Sequence, residues 1–143
     1  MFDRSALARV DPRADDAALI ARIAEFERMK SAAAAGQARA TAALDALRRS
    51  TEADAGLPAA QRGRGVASEI ALARRDSPAR GGRHLGFAKA LAYEMPHTLA
   101  ALEAGRLSEW RATLIVRESA CLDVDERAGR GALRRRVEVG RDG

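Results

Sequence analysis

This sequence is poor in the residues that build large cores and covalent cross-links. Aromatic residues make up only 3% of the chain, so few large side chains are present to dominate core burial. Much of the 47% hydrophobic fraction is alanine, which buries little area per residue. Cys121 is the one cysteine, which excludes an internal disulfide framework. We therefore expect a thin core that needs close helix packing, a partner chain or a downstream segment to hold it, with Cys121 buried as a small hydrophobic residue.

Long apolar runs are also missing. No apolar stretch follows a basic start as in a signal peptide, and none approaches the roughly 20 residues of a membrane-spanning helix. The sequence therefore predicts a cytoplasmic protein without membrane contact. Asparagine is absent, and Lys30 and Lys89 are the only lysines, so almost every basic residue is arginine. This bias toward arginine has two equally good explanations: a GC-rich genome, or a need for guanidinium chemistry.

The sequence offers little for a catalytic or metal site. His84 and His97 are the only histidines, and with Cys121 they fall short of the four ligands of a structural zinc site. No phosphate-binding loop, metalloprotease motif, nucleophile elbow or obvious carboxylate pair is present. We therefore predict no enzyme activity, no catalytic residue, no metal or cofactor, and no small-molecule ligand. His84 follows Arg83 in a basic stretch and is expected to face solvent or a phosphate.

What the sequence does contain is helical periodicity. Asp15 or Asp16 offers an N-cap, and a helical pattern then runs from about Ala17 to Arg49. One stripe recurs every seven residues along it, at Leu19, Phe26, Ala33, Ala40 and Leu47, with Ile23, Gln37 and Leu44 near the intermediate positions. We expect this stripe to be the packed face, either in an intramolecular bundle or in a dimeric coiled coil.

Cap and turn residues divide the rest of the chain into short helices. Gly56-Leu57-Pro58 is expected to end the long helix, and Ser77-Pro78 and Pro96 to open later ones. Between them, Arg62-Gly63-Arg64-Gly65 is expected to be a flexible basic loop, followed by a helix over Val66 to Arg75 with Val66, Ile70 and Ala73 on one side.

A further helix is expected after Ser108, which would cap it. Trp110, Leu114 and Cys121 would share its buried face. The segment from Leu99 to Leu114 also has the length of a helix-turn-helix, but Arg106 and Arg111 fall where that motif usually has apolar side chains.

The fold class we predict is all-α, with one long N-terminal helix followed by several short helices packed against it. No segment alternates convincingly as a strand. Residues 1–14 are expected to form a leader, residues 15–122 the helical domain, and residues 123–143 a divergent basic tail.

Positive charge is concentrated in the middle of the chain. The whole chain has a net charge of +5, and the segment from Gln61 to Ala90 carries the same excess, with seven basic residues against two acidic ones. Such a segment suits the phosphates of a nucleic acid, and the alternative is a solvated arginine face or one paired with the acidic segment from Leu91 to Glu126. The predicted contact residues are Arg62, Arg64, Arg74, Arg75, Arg80 and Arg83, and the predicted partner is DNA.

Three short sequence segments indicate a protein family more specifically than the composition does. They are SPARGGRHLG from Ser77, MPHTLAAL from Met95 and GRLSEWRA from Gly105. Together with the long helical pattern, they resemble the domain of unknown function 222 of actinobacterial proteins, also called the 13E12 repeat family. The resemblance covers roughly Leu19 to Leu122.

The resemblance implies the helical N-terminal half of proteins that commonly end in an HNH-type endonuclease domain. An HNH site needs His and Asn residues, and this chain has no Asn, so the nuclease activity is not carried over to any position here. The tail departs from the family's Ala- and Glu-rich helix and suggests a truncated or frame-shifted copy. Two alternatives remain: a protein-interaction or self-association module built on the long helix, and a non-functional remnant of a mobile-element gene.

Overall fold

A computed structural model describes residues 3–122 of the chain. Within this range every regular element is helical, which confirms the predicted all-α class. The elements in chain order are α1 (Arg4–Leu7), α2 (Asp16–Asp54), a 3-10 turn (Ala59–Gln61), α3 (Val66–Arg74), α4 (Pro78–Lys89), a π-helical segment (Ala90–Glu94), α5 (Pro96–Glu103) and α6 (109–122). The basic tail predicted for residues 123–143 lies outside the described residues.

Helix α2 has 39 residues and spans about 58 Å at 1.5 Å per residue. The carboxylate of Asp15 accepts a hydrogen bond from the backbone N–H of Ala18, which confirms the predicted N-cap. The helix ends at Asp54, five residues beyond the predicted end at Arg49. Gly56 adopts a φ of +83° and so ends the helix, as predicted, in a conformation that glycine adopts without strain.

The core of the described chain forms where α2 meets α4, α5 and α6. Most of its fully buried residues are small, and Leu91 and Leu102 are its largest fully buried side chains. The cluster consists of Ala34, Ala35, Ala38, Ala88, Leu91, Leu99, Leu102 and Ala112. Because alanine keeps the helix surface flat, neighbouring backbones approach closely and compensate for the missing large side chains.

The stripe predicted on α2 is not the face that packs within the described chain. The buried positions of α2 run from Ser31 to Asp45 and fall between the predicted ones. Leu47 is 66% exposed, and Ala33 and Ala40 are exposed as well. The physical reason is that the shorter helices pack on the face that allows the closest approach, which carries Ala, Ser and Thr, rather than on the face with larger apolar side chains.

Helices α3 and α4 form a tightly packed hairpin. Ser77 accepts a hydrogen bond from the N–H of Arg80, and Pro78 occupies the first turn, which confirms the predicted start. Gly81 lies against α3, so that a Cβ added there would stand 2.4 Å from the carbonyl oxygen of Ala67. On α3 the buried residues are Val66, Ile70 and Ala71, whereas Ala73, predicted to share their side, is exposed.

In the C-terminal part of the described chain, α6 begins where predicted but buries a different face from the predicted one. Ser108 accepts a hydrogen bond from the N–H of Arg111 and caps α6 as expected. Trp110 and Cys121 are exposed, so their predicted burial is wrong. Ala112 is buried instead, and Val116 packs beside it against the core. None of the described helices combines the length and the apolar content that crossing a membrane requires.

Candidate nucleic-acid interface

The six arginines predicted to contact nucleic acid lie on or beside the α3–α4 hairpin. Arg64 precedes α3 and Arg75 follows it, whereas Arg80 and Arg83 belong to α4. The turn that joins α3 to α4 therefore lies near Arg75, Arg80 and Arg83. The nine residues of α3 place Arg64 about 13 Å from that turn, because an α-helix rises 1.5 Å per residue.

Arg62 is directed toward the protein. Its Nε atom donates a hydrogen bond to the carbonyl oxygen of Leu57 at 2.8 Å. The next residue, Gly63, donates its N–H to the Glu52 carboxylate at 2.7 Å, and its φ of +76° suits glycine. The loop predicted to be flexible is thus tied to Glu52 near the end of α2 and to Leu57 just after it.

Arg74 is also engaged within the fold. Its guanidinium donates a hydrogen bond to the side-chain oxygen of Gln37 on α2, and its Nε lies 3.4 Å from the carboxylate of Asp76. The side chain is largely covered. Arg74 therefore ties the end of α3 to α2 rather than extending into solvent.

Arg80 shares Asp76 but stays accessible. Its Nη1 atom lies 3.4 Å from the Asp76 carboxylate, and its side chain is 68% exposed. An exposed pair at that distance contributes about 0–1 kcal/mol, so a phosphate could replace the carboxylate at little cost.

In the described part of the chain, three of the six arginines have side chains that are free to contact a ligand: Arg64, Arg75 and Arg83. All three are exposed, and no acidic side chain of residues 3–122 lies within ion-pair distance of any of them. Arg75 has a φ of 57°, and its N–H closes the end of α3. Its backbone role is therefore separate from its side chain, which remains available.

The sequence reasoning overlooked Gly82 and Gly86. They are four residues apart on α4, so they share a face, and a Cβ added at either would meet nothing within 4 Å. Beside the exposed Arg83, these glycines leave an open strip where another backbone could come close to the helix. The four-residue spacing of glycines inside a predicted helix is the signal that could have revealed this strip.

His84 lies on the side of α4 opposite Gly82 and Gly86 and is buried, with 7% of its surface exposed. Its Nε2 lies 3.1 Å from the hydroxyl of Thr41 on α2. Burial, and then the positive charge of Arg74, lowers the pKa of this imidazole, while the charge of Asp76 opposes the shift. The prediction that His84 faces solvent or a phosphate is therefore wrong.

The described residues do not assemble a metal centre. Within residues 3–122, no group of three or more His, Cys, Asp or Glu side chains is placed to hold a metal ion. Asp45, which is buried on α2, lies instead 2.9 Å from Arg49 and 3.4 Å from Lys89. Lys89, whose side chain remains partly exposed, thus pairs with a buried carboxylate.

The chain was compared with protein-family models, with curated proteins and with solved structures, and none of the three comparisons found a match.

Proposed function

We propose that this chain is a non-catalytic helical module that contacts the phosphate backbone of DNA through the α3–α4 hairpin. The contact residues are Arg64, Arg75, Arg80 and Arg83. The observation that carries the proposal is the exposure of these four guanidinium groups, three of which have no acidic partner among residues 3–122.

The chemistry of the hairpin suits phosphate. A guanidinium donates paired hydrogen bonds to two phosphate oxygens, and each contact releases counterions from the nucleic acid. The first turn of α4 contains no acidic residue, so its N-terminal dipole also favours an anion. Phosphate contacts carry no base information, so we expect binding that depends little on sequence.

The remaining two predicted arginines have a supporting role in this proposal. Arg62 holds the loop before α3 against Leu57. Arg74 holds the end of α3 against Gln37 of α2. Through those contacts they fix the positions from which the exposed arginines extend.

The family resemblance supports the same proposal. The strings SPARGGRHLG and MPHTLAAL fall on α4 and α5, so the segment most like the family includes the arginine-bearing helix. In the proteins that the chain resembles, this helical region commonly accompanies an HNH endonuclease domain. We propose that the module positions DNA and that no residue of this chain performs the cleavage.

The direct test is the affinity of the full chain for a duplex DNA at low salt. The triple variant Arg75→Gln, Arg80→Gln, Arg83→Gln should bind more weakly by about tenfold or more, because several phosphate contacts are lost. Fluorescence anisotropy with several unrelated duplexes measures the change and the expected indifference to sequence.

A matched control lies on the other exposed arginine surface. Arg106, Arg111 and Arg117 are exposed near or on α6, and replacing all three with Gln removes the same charge. This control should bind more tightly than the hairpin variant. An equal loss of DNA affinity in both variants would mean that only net charge matters. A larger loss in the control would indicate that DNA binds at α6. Either result contradicts the proposal.

A further inference from the structure

The N-terminal half of α2 has apolar side chains that the described chain does not cover. Every buried residue of α2 lies between Ser31 and Asp45, although the helix begins at Asp16. On the preceding turns, Ile20 is 67% exposed and Ile23 is 64% exposed. Large branched side chains on a regular helix cost solvation free energy when left in water.

This exposed surface borders a groove. The segment before α2 crosses the helix, where Arg22 donates a hydrogen bond to the carbonyl oxygen of Leu7 at 3.3 Å. The guanidinium of Arg22 also lies 4.4 Å from the centre of the Phe26 ring. Between segment and helix an open groove of about 850 Å³ remains, whose apolar lining comes from Leu7, Val10, Leu19, Ile23 and Phe26.

We propose that this surface binds a second copy of the chain, with the two α2 helices antiparallel and related by a two-fold axis near Ile23. In that arrangement Ile23 contacts its own counterpart. Leu19 of each copy then lies across from Phe26 of the other, so the groove linings of the two copies meet on one side of the axis. The two copies thus cover each other's Leu19, Ile23 and Phe26, while Ile20 lies along the other edge of the contact.

The distribution of charge favours a second copy over an unrelated partner. Asp16, Ile20, Ile23, Glu27 and Lys30 recur at intervals of three or four residues and so share one face. Antiparallel pairing about Ile23 places Asp16 of each copy opposite Lys30 of the other, which gives two attractive pairs. Lys30 also pairs with Glu27 of its own copy at 2.9 Å. A parallel pair in register would oppose like charges at Asp16, Glu27 and Lys30, whereas the antiparallel pair sets Asp16 against Lys30.

The size of the surface sets the expected strength. Residues 16 to 30 of α2 extend over about 22 Å, since the helix rises 1.5 Å per residue. A standard stable interface buries roughly 800 Å² on each partner, and one helix face of this length is smaller than that, so the contact belongs with weak, transient interfaces. We therefore expect a reversible dimer that dissociates on dilution.

Sedimentation equilibrium of the full chain over a wide concentration range tests the proposal. The wild type should pass from monomer to dimer as concentration rises. Ile23→Glu places two carboxylates at the axis and should shift the midpoint concentration upward by about tenfold or more, since each 1.4 kcal/mol is a factor of ten. Because Ile23 is exposed, circular dichroism should show an intact fold.

The control is Leu47→Glu, which changes an equally exposed apolar residue elsewhere on α2. It should leave the dimer unchanged. A wild type that stays monomeric throughout overturns the proposal, and so does a dimer that Leu47→Glu weakens as much as Ile23→Glu.

A charge exchange tests the antiparallel arrangement. Asp16→Lys alone and Lys30→Asp alone each oppose like charges and should weaken the dimer, whereas the two together should restore it. In a parallel dimer both single changes and the double change leave like charges opposed, so failure of the double variant to recover contradicts the antiparallel register. The arginines of the α3–α4 hairpin are untouched, so these outcomes are independent of DNA binding.

Discussion

The two halves of α2 differ in a way that hydrophobicity alone does not explain. From Ser31 to Asp45 the helix buries mostly Ala, Ser and Thr beneath the shorter helices. Before Ser31 it exposes Ile20 and Ile23, which are far more apolar. The difference teaches that in an alanine-rich chain the core forms where helices come closest, and larger apolar residues are left for other contacts.

The largest effect that should separate the two faces of α2 comes from enlarging an alanine. Ala38 is fully buried, so Ala38→Leu forces a larger side chain into the helix contact and should lower the free energy of unfolding by about 1–3 kcal/mol. Ala40→Leu, on an exposed face, should change it by less than about 0.5 kcal/mol. Urea denaturation gives both values, and equal losses would show that the faces are not distinct.

A smaller contrast of opposite sign is expected on α4. Gly82→Ala should stabilise the protein by up to about 1 kcal/mol, because alanine favours the helix and the added Cβ meets nothing. Gly81→Ala should destabilise it, since its Cβ would stand 2.4 Å from a carbonyl oxygen. Thermal unfolding of both variants measures the signs, and stabilisation by Gly81→Ala would contradict the close α3–α4 contact.

The smallest effect concerns pH and the buried imidazole of His84. The pKa of His84 is lowered in the folded protein, so the unfolded chain binds its proton first as pH falls. The contribution of His84 to stability is therefore complete above about pH 6.5 and is lost progressively below it. Urea unfolding as a function of pH measures this slope.

His84→Gln keeps a hydrogen-bonding partner for Thr41 and removes the titration, so the slope below pH 6.5 should become shallower. An unchanged slope in His84→Gln would mean that the buried imidazole does not couple to folding.

The helix boundaries were largely predictable because they depend on local chemistry. Asp15, Ser77-Pro78, Pro96 and Ser108 act on backbone groups a few residues away, and each begins or caps a helix as expected. Gly56 likewise ends α2, although the helix runs past Arg49 because no breaker intervenes.

The buried faces were not predictable in the same way, because several helices offered two plausible ones. On α6 the large Trp110 suggested a buried face, yet the small Ala112 allows the closer contact. His84 looked solvated beside Arg83, but its partner Thr41 is more than forty residues away in sequence.

The candidate interface shows the same division. The charge pattern locates all six arginines in one segment, but it does not reveal which of them make internal contacts. Arg62 and Arg74 meet Leu57 and Gln37, partners that only the fold brings near. The exposure of Arg64, Arg75 and Arg83 is equally a property of the folded hairpin.

The salt dependence of DNA affinity tests the central claim most directly, because its slope counts the phosphates that the protein contacts. On a plot of log affinity against log salt concentration, the hairpin variant lacking Arg75, Arg80 and Arg83 should have a slope shallower by about 0.9 for each contact removed. A wild type without salt-dependent binding, or a variant whose slope equals that of the wild type, would contradict the assignment of these arginines to DNA.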